Sequence, residues 1–232
     1  MVKTEKNKKE ERKNRARKIV AYLKRAYPEP KTELHYKTPF QLVVAVMLSA
    51  QCTDKAVNKT TDALFKKYKT AKDFAAAKSS VFEKEISTIP LFRNKTKAIL
   101  GTAKIIANDF GGRVPKTEGE LVKLPGIGYK TAHVILGELH GLWEGIPTDT
   151  HVRRFALRFD LTDNTDLTKI SKDLEALVPK KDWKYMNNGL VLYGRYTCSE
   201  KKHARTPHRL TQINTDTART CTTANYVYNR AR

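Results

Sequence analysis

No stretch of this 232-residue sequence is apolar for long enough to cross a membrane. The longest apolar run, residues 40–50, is interrupted by Gln41 and is shorter than the roughly 20 residues that a spanning helix needs. Residues 1–18 are basic but have neither the apolar segment nor the small-residue cleavage site of a secretory signal. We therefore expect an intracellular protein without a membrane partner, in cytoplasm or nucleoid if prokaryotic, and in nucleus or mitochondrion if eukaryotic.

Cysteine is also scarce, with three residues in the whole chain: Cys52, Cys198 and Cys221. Their odd number and wide spacing exclude the disulfide framework of a small secreted domain. A reducing compartment is the natural setting for such a chain.

Acidic residues are outnumbered: 24 Asp and Glu stand against 45 Lys and Arg, which gives a formal net charge of +21. Such an excess predicts a polyanionic partner, and nucleic acid is the favoured one. A ribosome-associated or other basic protein is also compatible with the charge. The 40% hydrophobic content is sufficient for a real core, so we expect most of the chain to fold.

The sequence lacks the sustained alternation of apolar and polar residues that strands require. Apolar residues instead recur at steps of three and four, which predicts an all-α protein. The predicted helices cover residues 19–26, 40–49, a segment after Thr53-Asp54, and 81–86, 95–110, 129–140, 152–159, 167–177 and 183–193. No longer repeat is present, which excludes a solenoid. Residues 1–18 are predicted to form a partly disordered basic arm, and residues 199–232 an atypical, loosely ordered tail.

The segment 124–128, Leu-Pro-Gly-Ile-Gly, has the pattern of a hairpin between two helices. Gly126 and Gly128 allow the turn to adopt positive φ and to lie against a ligand, and Ile127 is expected to anchor it in the core. The following helix presents free N–H groups and a positive dipole end, which together suit a phosphate. An ordinary turn is the alternative, but the basic charge of the chain favours DNA binding.

Lys130 lies in the first turn of the helix that follows this hairpin. Two interpretations are open: an amine nucleophile activated by the helix N-terminus and partial desolvation, or a solvated lysine that contacts phosphate. Asp149, in Thr-Asp-Thr-His, precedes another predicted helix and is expected to cap it. The same position would keep a carboxylate fixed, able to accept a proton from Lys130 or to face a developing positive charge.

Beyond single motifs, the sequence resembles the endonuclease III family of helix-hairpin-helix DNA glycosylases. The resemblance rests on residues 46–54 (VMLSAQCTD), 88–95 (TIPLFRNK), 124–136 (LPGIGYKTAHVIL), 148–154 (TDTHVRR) and 192–198 (LYGRYTC), in the order and spacing of the family. It implies two all-α domains: a six-helix barrel at about residues 33–143, and a second domain joining 19–32 with 144–198.

The resemblance implies base excision repair of oxidised pyrimidines in double-stranded DNA by a monomer, with the damaged nucleotide flipped out of the duplex. Lys130 matches the lysine that forms a Schiff base and gives abasic-site lyase activity, and Asp149 matches the catalytic aspartate. The expected DNA-binding residues are Gln51, Leu91, Gly126, Gly128, Thr131 and His151. By the same matching, Gln51 fills the hole left by the flipped base and Leu91 wedges into the stack.

Each assignment has an ordinary alternative in the sequence. Gln51 could cap the helix that it ends, and Leu91 could be a core residue after Pro90. His151 could be a helix-start residue or a phosphate contact rather than a catalytic participant. Tyr129 stands where the family often has a basic residue, which would weaken one phosphate contact.

The sequence departs from the family at its cluster motif. The family pattern continues from Cys198 with three further cysteines that bind a four-iron, four-sulfur cluster, at positions occupied here by Arg205, His208 and Asn214. Because such clusters need thiolate ligands, we predict no cluster, no other cofactor and no metal site. An atypical site built from Cys198, His203, His208 and Cys221 is the alternative.

Two other functions are compatible with the hairpin: a non-catalytic helix-hairpin-helix DNA-binding module, and a monofunctional mismatch glycosylase for thymine, uracil or adenine. Phosphate binding requires neither Lys130 nor Asp149, and the monofunctional relatives generally lack the lysine. The retention of both residues therefore favours the bifunctional enzyme.

Overall fold

The structure is a computed structural model, and it describes residues 5–199. Every regular element in that range is helical and none is a strand, which confirms the predicted fold class. Predictions for residues 200–232, including those for Arg205, His208 and Asn214, lie outside the described residues. Within the described range, none of the helices combines the length and apolar character that crossing a membrane requires.

The helices are α1 (Glu5–Ala26), α2 (Pro39–Ser49), α3 (Asp54–Lys67), α4 (Ala71–Ala75), α5 (Ser79–Glu85), α6 (Phe92–Asp109), α7 (Glu118–Leu121), α8 (Tyr129–His140), α9 (Thr150–Arg158), α10 (Leu167–Leu177) and α11 (Leu190–Leu192). A 3₁₀ turn (Lys180–Asp182) precedes a helical segment whose turns on either side of α11, Tyr185–Gly189 and Tyr193–Thr197, are π-helical. The bounds predicted for α8 and α10 agree with the structure. The short helices α4 and α7 were not predicted, and α6 begins three residues earlier than expected.

The chain divides into two compact units. One unit is the continuous segment Thr32–Glu144, and the other combines the described parts of Met1–Lys31 and Gly145–Arg232. Each unit has its own hydrophobic core.

The core of unit Thr32–Glu144 surrounds α2, which packs against α3, α6 and α8. Thr38 begins α2 by accepting a hydrogen bond from the Gln41 backbone N–H, and Pro39 follows at a position where its missing N–H costs nothing. Residues from Phe40 to Leu48 are all buried, as expected for a helix that is apolar on every side. This central helix ends directly before Gln51, so its end determines where that residue lies.

The core of the other unit is formed by α1, α9, α10 and the π-helical segments. It contains a cluster of aromatic rings: Phe155 stacks on Phe159, and Tyr193 meets both Phe155 and Tyr22 edge-on. Edge-on and offset pairs of this kind contribute about 0.5–1.5 kcal/mol beyond their burial. This packing supports α9, the helix that Asp149 precedes.

The prediction of a partly disordered arm at residues 1–18 is wrong from Glu5 onward, because α1 begins there. Its first half is held by ion pairs to the loop after α9. Arg12 binds Asp160 and Asp163, Lys8 binds Asp163, and Arg15 binds Asp160, at 2.7–3.0 Å. The basic residues that suggested disorder are therefore the ones that fix the helix.

Asp163 makes this contact sensitive to acid. Hydrogen bonds from Arg12 and Lys8 lower the pKa of its carboxyl from 3.8 to about 2. A carboxylate with a depressed pKa stabilises the fold above its unfolded pKa, and this stabilisation is lost as the pH falls toward 2. We expect Asp163→Asn to loosen the first half of α1 at pH 7, by no more than about 1 kcal/mol because the pair is exposed.

Amide hydrogen exchange along α1 measures this effect. The difference between Asp163→Asn and the unsubstituted protein should shrink between pH 4 and pH 2, roughly the interval between the two pKa values. Replacement of exposed Asp109 by asparagine is the control. A difference that persists unchanged in acid would mean that the ion pair is not what holds the helix.

Candidate active site

The hairpin between α7 and α8 is built on Gly126, which has φ 76°. A Cβ atom at this position would lie 2.7 Å from the Ala98 Cβ and 3.1 Å from the Met47 Cε. Thr102 donates a hydrogen bond to the Pro125 carbonyl at 2.9 Å, and Ile127 is buried as predicted. The turn is thus pressed against α2 and α6, and its conformation requires glycine.

The N-terminus of α8 is left open by Gly128, which has no side chain to cap it. The first intrahelical bond runs from the Ala132 N–H to the Gly128 carbonyl, so the N–H groups of residues 129–131 precede the helical ladder. Lys130 and Tyr129 are exposed, and Thr131 is partly buried. Exposed amides, a positive dipole end and a lysine thus share one short surface.

Gln51 and Leu91 both have left-handed backbones, with φ 56° and 57°. Gln51 follows the end of α2 and is exposed, and its side chain caps none of the described helices. Leu91 precedes α6 and remains 56% exposed, so the interpretation of Leu91 as a core residue is wrong. A bulky apolar side chain held away from the core in a strained backbone conformation is available to a partner.

Asp149 caps α9, as predicted: its Oδ1 atom accepts a hydrogen bond from the Val152 N–H at 2.8 Å. The loop before it is held by buried polar contacts that the sequence did not reveal. Asn187 donates to the Pro147 carbonyl at 2.6 Å, and Ser171 donates to the Ile146 carbonyl at 2.8 Å. The preceding loop and the start of α9 therefore fix the carboxylate from both sides. Asn187 could not be recognised from the sequence, because it lies in an apolar helical stretch without a functional pattern.

His151 lies in the first turn of α9 and is partly buried. Its Nδ1 atom is 3.2 Å from the Arg154 Nη2 atom. Gly194 of the π-helical segment packs so closely that a Cβ there would clash with the same Nδ1. These contacts direct one edge of the imidazole into its own unit.

Lys130 and Asp149 belong to different units.

A family model described as HhH-GPD superfamily base excision DNA repair protein matches residues 44–180. The endonuclease III of Synechocystis sp. is 42% identical over 191 residues, which are 82% of this chain and 87% of the relative. That of Bacillus subtilis is 43% identical over 173 residues, 74% of this chain and 78% of the relative. The chain belongs to the endonuclease III family.

Solved structures of the endonuclease III family share the fold. A trapped endonuclease III–DNA covalent intermediate matches with a TM-score of 0.75 at 36% identity, over 81% of this chain and 88% of that chain. A non-covalent endonuclease III–DNA complex matches with the same TM-score and identity, over 82% and 88%. The predicted helix-hairpin-helix glycosylase fold is thereby confirmed.

The two hairpin glycines of this endonuclease III family member should respond differently to alanine. Gly126→Ala is expected to destabilise the fold by about 1–3 kcal/mol, because it combines strained φ with a clash at Ala98. Gly128→Ala meets no protein atom within 4 Å and should leave stability nearly unchanged while weakening duplex binding. Urea unfolding and fluorescence anisotropy measure the two effects. Equal destabilisation by both substitutions would contradict this division.

The residues present do not fit the family's four-cysteine cluster. Cys198 is buried, and its Sγ atom lies 3.3 Å from the Arg158 Nη1 atom, which donates to it. Downstream, the sequence supplies Arg205, His208 and Asn214 where thiolates are needed. Among the described residues, no group of three or more metal-binding side chains occurs.

Proposed function

We propose that this protein is a bifunctional DNA glycosylase of base excision repair, which removes oxidised pyrimidines from duplex DNA and cleaves abasic sites through a Schiff base at Lys130. The observation that carries the proposal is an exposed lysine in the first turn of α8, directly after the uncapped hairpin start at Gly128. In a member of the endonuclease III family, an exposed amine beside uncapped backbone amides supports a nucleophile that acts next to a bound phosphate.

The proposed chemistry requires no group beyond the chain and water. The Lys130 Nζ attacks the sugar C1′, and the glycosidic C–N bond breaks as the base leaves with a proton. Loss of the amine proton and ring opening give a C1′=N Schiff base. Removal of a C2′ proton then expels the 3′ phosphate by β-elimination, and water hydrolyses the Schiff base. Asp149 accepts the proton from the attacking amine or stabilises the positive charge that develops.

Binding is divided among several groups in this proposal. The backbone amides at Gly126 and Gly128, with Thr131, hold a phosphate without reading sequence. Gln51 fills the hole in the duplex and Leu91 enters the stack. His151 is also proposed as a DNA-binding residue at the start of α9, where Arg154 and Gly194 hold one edge of its ring.

Borohydride trapping on a duplex that contains one oxidised pyrimidine tests the proposal. A covalent protein–DNA adduct, formed together with base release, is the expected result. Base release without an adduct would place the protein among the monofunctional glycosylases. Salt-dependent binding without release would leave only the DNA-binding module.

We further propose that the activity does not depend on an iron–sulfur cluster. The residues that follow Cys198 at the cluster positions lack the required thiolates. The expected preparation is colourless, with iron far below one cluster per chain, yet active in the trapping assay. A brown preparation that loses its iron and its activity together would refute this.

A further inference from the structure

Three non-glycine residues in the described chain have positive φ: Gln51, Leu91 and Asp160. Asp160 is held by the ion pairs with α1. A left-handed backbone at such residues is strained and persists only where the surroundings impose it. For Gln51 and Leu91, the surroundings include a shared feature.

That feature is Lys95, which is 8% exposed and is the only buried lysine or arginine of the described residues. Its Nζ atom donates to the Leu48 carbonyl at 2.8 Å and to the Ala50 carbonyl at 2.6 Å. Leu48 lies in the last turn of α2 and Ala50 is its C-cap residue, at the helix end where backbone acceptors have no helical partner and the dipole is negative. Lys95 thus fixes the end of α2 immediately before Gln51.

The same residue is joined to the second strained position. Lys95 lies in the first turn of α6, and its backbone N–H donates to the Leu91 carbonyl at 3.0 Å. No side chain caps α6 at Leu91. The bond from the Lys95 N–H to the Leu91 carbonyl is therefore the first hydrogen bond of the helix. The Lys95 side chain therefore ties the start of α6, which follows Leu91, to the end of α2, which precedes Gln51.

Ending a helix with a buried lysine is energetically unfavourable. No carboxylate pairs with it among the described residues, and burial lowers the pKa of its ammonium group. Removing a charge from water is strongly unfavourable, whereas a C-terminal glycine would end α2 without burying a charge. A fixed distance between two functional side chains is a benefit that glycine does not provide.

We infer that Lys95 is a positioning residue that holds Gln51 and Leu91 at a fixed spacing for simultaneous insertion into DNA. The inference rests on the proposed function, since it assigns these two side chains to the duplex. Lys95 itself touches neither substrate nor reacting atoms. Its removal should therefore act through the two inserting residues and through nothing else.

The test replaces Lys95 by methionine, which keeps the length of the side chain and removes the donors. Single-turnover excision of an oxidised pyrimidine is expected to fall roughly 10–100-fold, the scale of a misplacement of about 1 Å. Lys104→Met, at an exposed position on the same helix, should have no effect. The yield of trapped adduct on a preformed abasic site should fall less than the excision rate. An abasic site has no base to flip out, so the protein has to distort this duplex less.

The decisive readout is a mutant cycle. In a Gln51→Ala/Leu91→Ala background, Lys95→Met should cause no further loss, because the side chains that it positions are absent. An equal loss in both backgrounds would mean that the lysine supports the fold in general, and would overturn the inference. Lys95→Gln, which retains a donor, should recover part of the activity.

Two further arms keep the outcomes separate. The fluorescence of 2-aminopurine opposite an uncleavable abasic analogue reports insertion without chemistry, and its rise should be smaller for Lys95→Met. If the unsubstituted protein inserts but does not excise, the proposed function fails and this readout still decides the role of Lys95. If both Lys95 variants fail to fold by circular dichroism, the residue is a structural one and the inference is wrong.

Discussion

Lys130→Ala is expected to eliminate the borohydride-trapped adduct and to reduce base excision on the order of 10³-fold or more, as loss of a nucleophile does in other enzymes. The reason is chemical: alanine has no amine to attack C1′ or to form the Schiff base. Duplex binding should remain within a few-fold, because the phosphate contacts proposed at Gly126 and Gly128 come from backbone amides. Gel-resolved trapping, single-turnover kinetics and anisotropy measure the three quantities.

Lys123→Ala is the matched control, since Lys123 is an exposed lysine on the α7 side of the hairpin. It removes the same charge close to the same turn and should leave trapping intact. If Lys130→Ala and Lys123→Ala weakened binding equally while both kept the adduct, Lys130 would be a phosphate contact. The nucleophile would then have to be another amine.

The hairpin could be predicted because its requirements are local. Two glycines around an apolar residue, followed by an amphipathic helix, describe a turn and a helix start without knowledge of the rest of the chain. The bounds of α8 were accordingly correct, and the burial of Ile127 was expected. The cap at Asp149 was predictable for the same reason.

Lys95 could not be recognised in the same way. In the sequence it is one lysine among many in a basic chain. Its inferred role depends on hydrogen bonds to carbonyls more than forty residues earlier. The strained backbones of Gln51 and Leu91 were equally hidden, because neither residue type favours positive φ. The arm was mispredicted because its partners, Asp160 and Asp163, lie far along the chain.

Asp149→Asn separates the two roles of the aspartate, capping and chemistry. Asparagine caps a helix about as well as aspartate, so the bond to the Val152 N–H should remain and stability should change little. Excision is nevertheless expected to fall by about 10²–10⁴-fold, because an amide neither accepts a proton nor faces a cationic centre favourably. Asp149→Ala should show the same kinetic loss and, in addition, about 1 kcal/mol of destabilisation.

The control for Asp149→Asn comes from the same unit. Asp166 caps α10 in the same manner, accepting from the Lys169 N–H at 2.9 Å, and Asp166→Asn should alter neither stability nor excision. Urea unfolding and single-turnover excision, measured on all three variants, make the comparison complete. If Asp149→Asn retained full activity while Asp149→Ala lost it along with stability, capping alone would account for the aspartate. Loss in Asp149→Asn at unchanged stability assigns the function to the charge of the carboxylate.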